Sequence, residues 1–190
     1  VDRSASGAPM RIDQMQIPEV LLITRDLFAD SRGWFTELHN EANLRDAGFN
    51  VRFVQDNLSL SAPGVLRGLH FQVSPEQGKL VSCVKGRIFD VAADIRPDSP
   101  TYGQHVAAEL SADGGESLWV PPGFAHGFVV VGSEPALVLY KVDQHRSAEG
   151  ERGIIWNDPT LAIPWPLEGP TLSERDGALP TLASHMGLER

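Results

Sequence analysis

Short runs in which apolar and polar residues alternate, separated by turn-forming residues, dominate this chain. The stretch 87–95 shows the pattern best, because apolar side chains at 89, 91, 93 and 95 alternate with Asp90, Ala92 and Asp94. This spacing is typical of a half-buried strand, and Lys85-Gly86 before it is a hairpin signal. Asp90 and Asp94 then face either solvent or the lumen of a small barrel.

Further strands are predicted where apolar, β-branched or aromatic runs are bounded by Gly, Pro, Asn or Asp. They cover residues 17–23, 34–38, 51–60, 64–72, 79–84, 105–110, 118–120, 124–131 and 136–141. One helix is predicted over 41–47, capped by Asn40 and ended by Gly48. Turns and short segments follow residue 148, with one helical turn near 172–177. The pattern predicts an all-β fold of the sandwich or jelly-roll barrel kind, with a few short helices.

The composition narrows the class of protein. A chain of 190 residues with 42% hydrophobic and 22% charged residues is within the range of one globular domain, which we expect to span 1–190. A net charge of −9 argues against nonspecific binding to nucleic acid or to anionic membranes. An anionic substrate would therefore need a local basic pocket.

Residues 1–10 are interpreted as a disordered extension or a cloning remnant, because this start is small and polar. No run of about 18 apolar residues predicts a transmembrane helix. The single cysteine, Cys83, cannot form an internal disulfide, so no residue ties the chain to an oxidising compartment. We expect a cytoplasmic protein.

The stretch 64–72, with Gly78-Lys79 after it, carries the most chemistry. Its two glycines let a strand pass close to a ligand, and Arg67, His70, Gln72 and Lys79 lie among or just after them. An anion binder, a group that titrates near neutrality and a compact cation together favour a proton-transfer site. The alternative is an edge strand with ordinary solvated charges.

Three other polar features have an ordinary structural interpretation beside a functional one. Gln55-Asp56-Asn57 is either a strand end or a set of ligand contacts. His126 lies in an apolar strand, where a histidine is usually a core residue with satisfied hydrogen bonds. Tyr140 shares a face with Val138 and is by itself interpreted as a packing residue.

Six blocks of sequence, in order and at the right spacing, resemble the dTDP-4-dehydrorhamnose 3,5-epimerase family of the cupin superfamily. The blocks lie at 30–37, 53–57, 64–72 with 77–81, 121–128, 139–141 and 173–176. The resemblance implies a cupin-type jelly-roll β-barrel and an isomerase that needs no cofactor and no metal. It also implies a homodimer in which the segment matching 32–37 reaches into the partner's site.

The implied reaction starts from dTDP-4-dehydro-6-deoxy-glucose, inverts C3 and C5 beside the C4 ketone, and gives dTDP-4-dehydro-L-rhamnose. By the resemblance His70 is the base, oriented by Asp176, while Lys79 stabilises the enolate and Tyr140 protonates the opposite face. A base alone is insufficient for so weak a carbon acid, and this agrees with the residue types found. Substrate contacts are implied for Arg32, Glu37, Gln55, Asp56, Asn57, Arg67, His126, Glu151 and Arg175, with Asp90 supporting His126.

The chain departs from the family pattern at His145 and Arg146, where relatives commonly have two aromatic residues. This departure bears on dTDP specificity and substrate pose more than on the chemistry. Relatives of the same fold invert only C3 or move the ketone, so a C3-only epimerase or a ketoisomerase of a dTDP-deoxysugar pathway is an alternative, as is a non-catalytic sugar-binding cupin. A metal-dependent cupin is disfavoured, because Gln72 stands where a His-x-His motif would need its second histidine and Lys79 follows.

Overall fold

Two antiparallel sheets face each other and bury the largest apolar cluster between them. The computed structural model describes residues 10–188, with side chains through residue 185. Its strands are β1 Met10–Gln14, β2 Leu21–Arg25, β3 Phe28–Asp30, β4 Gly33–Phe35, β5 Gln55–Ser61, β6 Leu66–Gln72, β7 Lys79–Lys85, β8 Arg87–Asp94, β9 His105–Ser111, β10 Glu116–Val120, β11 Phe124–Val130, β12 Ala136–Val142 and β13 Glu151–Gly153. The helices are α1 Glu41–Asp46, α2 Glu174–Gly177 and α3 Leu182–Leu188.

The strand order is that of a jelly roll. The six-stranded sheet runs β1-β2-β10-β7-β12-β5 and the five-stranded sheet β13-β6-β11-β8-β9, while β3 and β4 form a separate hairpin. Every strand pair within these sheets is antiparallel. The predicted all-β jelly-roll barrel with few short helices is confirmed.

The main core lies between the two sheets, because one face of each strand in the middle of a sheet is apolar. Val81 and Leu118 from the six-stranded sheet meet Ile88, Phe124 and Phe128 from the five-stranded sheet, all buried. Burial of such side chains stabilises the fold by roughly 1.5–3 kcal/mol each. β11 lies between β6 and β8, and all seven of its residues are buried.

The outer faces of the sheets are also covered. α1 packs Leu44 onto the six-stranded sheet beside Phe49 and Trp119. On the five-stranded sheet, the C-terminal segment places Ile154 and Leu182 in a buried cluster against that sheet. The covering of both sheets explains why several strands show apolar runs instead of clean alternation.

Asp158 organises this C-terminal cover. Its buried carboxylate accepts hydrogen bonds from the backbone N–H groups of Thr160 and Leu161 through Oδ1 and of Leu182 through Oδ2. The segment thereby lies against the barrel, and β13 pairs with β6 so that Gly153 lies opposite His70.

Several predicted boundaries differ from the structure. The first predicted strand, 17–23, was misplaced, because β2 begins only at Leu21. Ile17 and Val20 lie in the turn before it, and their side chains are buried. The predicted strand over 51–60 begins only at Gln55. The hydrophobic pattern did not predict β1, β3, β13 and α3, which are short and lack a strong hydrophobic period.

Met10 is the first residue of β1, so the predicted extension 1–10 overlaps the folded part at that residue. Residues 1–9 lie outside the described residues. Within residues 10–188, no helix is both long and apolar enough to cross a membrane.

Candidate active site

A cavity of about 370 Å³ is lined by side chains from both large sheets. Its volume lies within the range of small-molecule sites. Eight of the residues implied by the family resemblance line it: Asn57, Arg67, His70, Lys79, His126, Tyr140, Glu151 and Arg175. Residues from distant parts of the chain therefore meet at one place.

His70 lies on β6 and is held by a carboxylate from the far end of the chain. Its Nε2 atom is 2.7 Å from Oδ1 of Asp176, which α2 carries. Oδ2 of Asp176 accepts a hydrogen bond of 3.3 Å from the backbone N–H of Gly68, and Ser173 caps α2. Burial alone would raise the pKa of Asp176, but the hydrogen bonds from His70 and Gly68 hold that pKa below its usual value. The carboxylate is thus prepared to support a protonated imidazole.

A second histidine–aspartate pair lies beside the first. His126 on β11 is the cross-strand partner of His70, and its Nε2 atom is 2.8 Å from Oδ1 of Asp90 on β8. Oδ2 of Asp90 is buried and has no hydrogen-bond partner among the described residues. Burial raises the pKa of Asp90, and its contact with His126 offsets only part of this. Of the two orientations that the sequence allowed for Asp90, the solvent-facing one is excluded.

Lys79 begins β7 and presents a cation to the cavity. Its Nζ atom is buried and has no hydrogen-bond partner in the part of the chain that the structure describes. Burial lowers the pKa of Lys79 to about 8, although the carboxylates of Asp143 and Glu151 act in the opposite direction. A buried ammonium without a bound partner is a strong site for an anionic oxygen.

Tyr140 lies on β12, on the opposite sheet from His70. Its hydroxyl oxygen is 3.0 Å from Oγ of Ser59 on the neighbouring strand β5. Burial raises the pKa of Tyr140, while the hydrogen bond to Ser59 lowers it. The phenol therefore stays protonated at neutral pH.

Cations outnumber carboxylates along the cavity wall. Glu151 makes ion pairs with Arg146, at 2.6 and 3.0 Å, and with Arg175, at 3.2 Å. Arg67 donates to Oγ of Ser61 at 2.9 Å, and Lys79 adds a fourth positive group. A local positive excess in a chain of net charge −9 is the basic pocket that an anionic substrate requires.

Four of the substrate contacts implied by the resemblance do not line this cavity. Arg32 lies in the exposed β3–β4 hairpin and pairs with Asp30, whereas Glu37 accepts hydrogen bonds from Asn40 and Asn43.

Gln55 lies next to the cavity and donates to Oδ1 of Asn57 at 2.6 Å. Asp56 is on the opposite face of β5, in an ion pair of 2.9 Å with Lys141. Roles for these four residues in substrate binding stay predictions.

Five residues that line the cavity were not predicted as site residues from the sequence: Ser59, Gln77, Phe128, Val142 and Arg146. Ser59 could have been found, because strand alternation places it on the same face as Gln55 and Asn57. Arg146 was noted only as a departure from the family pattern.

The described residues contain no group of three or more His, Cys, Asp or Glu arranged to hold a metal ion. The side chain of Gln72, next but one to His70, donates to the carbonyl oxygens of Pro75 and His145 and accepts from the N–H of Ser147. It braces the loop that carries Arg146 instead of lining the cavity.

Comparisons with known proteins identify the family of this chain. Residues 14–184 match the model of the dTDP-4-dehydrorhamnose 3,5-epimerase family. The chain is 51% identical over 169 residues to dTDP-4-dehydrorhamnose 3,5-epimerase of Pseudomonas aeruginosa, covering 88% of this chain and 93% of that protein.

Among solved structures, an epimerase from Legionella pneumophila in complex with dTDP-4-keto-L-rhamnose is similar, with 45% identity and a TM-score of 0.87. The match covers 92% of this chain and 93% of that one. A 3'-monoepimerase from Streptomyces bikiniensis in complex with dTDP-quinovose matches with 28% identity and a TM-score of 0.86, covering 93% and 90%. The chain belongs to the dTDP-4-dehydrorhamnose 3,5-epimerase family, with the cupin-type fold that the sequence predicted.

Proposed function

We propose that this protein is a dTDP-4-dehydro-6-deoxy-glucose 3,5-epimerase, which gives dTDP-4-dehydro-L-rhamnose. The observation that carries the proposal is one cavity in which the His70–Asp176 pair meets Lys79 and Tyr140 from the opposite sheet. A base on one wall, with a cation and an acid on the facing wall, suits the inversion of a carbon beside a ketone. The names of the similar enzymes identify the substrate class.

His70 removes the proton from C3 or C5, and the electron pair of the broken C–H bond moves into the enolate of the C4 ketone. Asp176 supports the imidazolium that forms, and the ammonium of Lys79 stabilises the enolate oxygen. Tyr140 then donates its proton to the opposite face of the same carbon and keeps the O–H electron pair as a phenolate. His70 returns its extra proton to water and Tyr140 takes one back, so each inversion is balanced.

The diphosphate of the substrate binds to the positive wall of the cavity. Arg67 and Arg175 are planar cations that fit phosphate oxygens in pairs. Arg146, pinned by two hydrogen bonds to Glu151, presents a further planar cation, which can stack on a nucleobase. Asn57, Gln55 and Asp56 are proposed sugar and nucleotide contacts, with His126 as a further substrate contact.

The protein functions as a homodimer in this proposal, with Arg32 and Glu37 completing the partner's site. In the single chain both residues lie away from the cavity, and the hairpin around Arg32 exposes large apolar side chains. Phe28, Trp34 and Phe35 are 48%, 45% and 66% exposed. Exposed apolar groups close together favour a protein interface.

We place the enzyme in the cytoplasm, since its one cysteine is free.

Mixing two inactive variants tests the exchange of residues between subunits. Arg32→Ala and His70→Asn, co-expressed, form some mixed dimers in which one site has both His70 and the partner's Arg32. We expect recovery of roughly a quarter of the wild-type rate if subunits assort randomly. No recovery, with mixed dimers demonstrated by differential tags, would place Arg32 in its own subunit's function.

The main reaction is tested by incubating the protein with dTDP-4-dehydro-6-deoxy-glucose in D₂O and following the sugar protons by NMR. We expect deuterium at both C3 and C5 of the rhamnose product, and none with His70→Asn. No exchange at either carbon would refute the proposed substrate.

A C3-only epimerase is the second candidate, because a 3'-monoepimerase shares the fold at 28% identity. In the same experiment it predicts inversion and deuterium at C3 alone. The ratio of C5 to C3 exchange therefore separates the two functions.

A further inference from the structure

Ser59 is the hydrogen-bond partner of Tyr140 and belongs to the wall of the same cavity. The two side chains are diagonal neighbours on one face of the β5–β12 pair, where Tyr140 lies opposite Asn57 and Val138 opposite Ser59. Diagonal neighbours are within reach of an aromatic side chain. Within the described residues, no other group hydrogen-bonds to the Tyr140 hydroxyl.

The direction of this hydrogen bond decides where the phenol proton lies. A serine hydroxyl can donate or accept, and so can a phenol. If Tyr140 donates to Ser59, the phenol proton is held in that hydrogen bond and does not point at a substrate carbon. If Ser59 donates to Tyr140, the phenol proton is free to point into the cavity, and the same bond stabilises the phenolate left after proton transfer.

Ser61, on the same face of β5 as Ser59, has a different hydrogen-bond partner. Ser61 accepts a hydrogen bond of 2.9 Å from Nε of Arg67, and no described residue links it to Tyr140. Ser59 and Ser61 thus hold different site residues: the first a phenol, the second a guanidinium. They form a matched pair for mutation.

We propose that Ser59 is a positioning residue for the second half of each inversion, the return of the proton. Its hydroxyl donates a hydrogen bond to the oxygen of Tyr140, so that the phenol proton points at the substrate. This inference rests on the proposed function, because it assigns Tyr140 as the acid. It adds to that function a separate control of proton return, distinct from proton removal by His70.

Ser59→Ala separates the two halves of the reaction. With His70 intact, the substrate still exchanges its C3 and C5 protons with D₂O, within about threefold of wild type. Inversion falls roughly 10- to 100-fold, because a hydrogen bond to a developing charge is lost. Ser59→Thr keeps the hydroxyl and restores inversion, whereas Ser61→Ala raises KM through Arg67 and leaves the ratio of exchange to inversion unchanged.

A second measurement does not depend on activity. The chain has only two tyrosines, so in a Tyr102→Phe background a carbon-13 label at tyrosine Cζ reports Tyr140 alone. We expect this NMR signal to shift in Ser59→Ala and to return in Ser59→Thr.

Equal losses of exchange and inversion in Ser59→Ala, or no loss of either, would overturn the positioning role. An unmoved Cζ signal would also overturn it. If the wild-type protein neither exchanges nor inverts the substrate, the proposed function itself fails, and this inference fails with it.

Discussion

His70 and His126 are cross-strand neighbours, and Nε2 of each ring is hydrogen-bonded to an aspartate, yet their surroundings differ. The His70 side chain is 38% exposed, whereas that of His126 is 5% exposed. Asp176 has hydrogen-bond partners for both carboxylate oxygens, but Oδ2 of Asp90 has none among the described residues.

These differences change the charge state that each aspartate favours. Two hydrogen bonds keep the pKa of Asp176 low, so the carboxylate can stabilise a protonated His70. Burial raises the pKa of Asp90, so a full charge pair at His126 is less favourable. The same two residue types therefore suit a reacting base in one place and a fixed hydrogen-bonding group in the other.

Replacing each histidine tests this contrast with the largest expected effect. His70→Asn should lower the rate of both exchange and inversion by roughly a thousandfold or more, because no other group replaces the base. His126→Asn should cost only about tenfold, mainly in KM, as expected for a substrate contact. NMR assays in D₂O measure both, and equal losses would contradict the distinction.

Replacing the aspartates gives a smaller difference in rate. Asp176→Asn should lower kcat about 100-fold or more, since the imidazolium loses its carboxylate. Asp90→Asn should lower it less than about tenfold. Steady-state kinetics of the two variants, with circular dichroism to check folding, decides this. A larger loss in Asp90→Asn would make the buried pair the reacting one.

The pH dependence of the rate tests whether the charge on Lys79 is needed for the reaction in which His70 is the base. With a pKa lowered to about 8 by burial, Lys79 loses its charge above that pH. We expect kcat/KM to fall about tenfold per pH unit on the alkaline side. Lys79→Arg should have lower activity and no such fall near pH 8. An alkaline limb unchanged in this variant would assign the limb to another group.

Stability should change with pH in opposite senses for the two aspartates. The lowered pKa of Asp176 means that its stabilisation is complete above an unfolded-state pKa of about 3.8 and is lost as pH falls through the folded-state value. The raised pKa of Asp90 means that its ionised carboxylate costs stability at neutral pH, so Asp90→Asn should raise the free energy of unfolding there. This gain disappears as pH falls through the raised pKa.

Urea unfolding of Asp176→Asn, Asp90→Asn and wild type at pH 7.5, at pH 4 and at about pH 2.5 measures these differences, because the stabilisation by Asp176 is lost only below about pH 3.8. Destabilisation by Asp90→Asn at pH 7.5 would show that the charge on Asp90 is well compensated after all.

Much of the fold could be predicted from local pattern, and the reasons are visible in particular elements. β8 has the best period-two pattern in the chain and was predicted to within one residue at its end. β13 and α3 are short, and they form because the C-terminal segment packs on the five-stranded sheet through Ile154 and Leu182. Their stability comes from tertiary contacts instead of local propensity.

The candidate site, like the fold, could be predicted from the sequence only in part. Period-two alternation was enough to place Gln55, Asn57 and Ser59 on one face of β5, although Ser59 was overlooked. Alternation could not say whether Asp90 faces solvent or the lumen, because that depends on which sheet covers the strand. It also could not show that Oδ2 of Asp90 and Nζ of Lys79 are buried without a hydrogen-bond partner among the described residues.

The sequence by itself determined most of the central strands, the absence of an internal disulfide and, through six ordered blocks, the family. Only the tertiary structure brought Asp176 to within 2.7 Å of His70 across 106 positions of the chain. Only the packed structure lowers the pKa of Asp176 and raises that of Asp90. Residue types and spacing define which hydrogen bonds are possible, but burial and the second partner of each carboxylate exist only after the sheets have packed together.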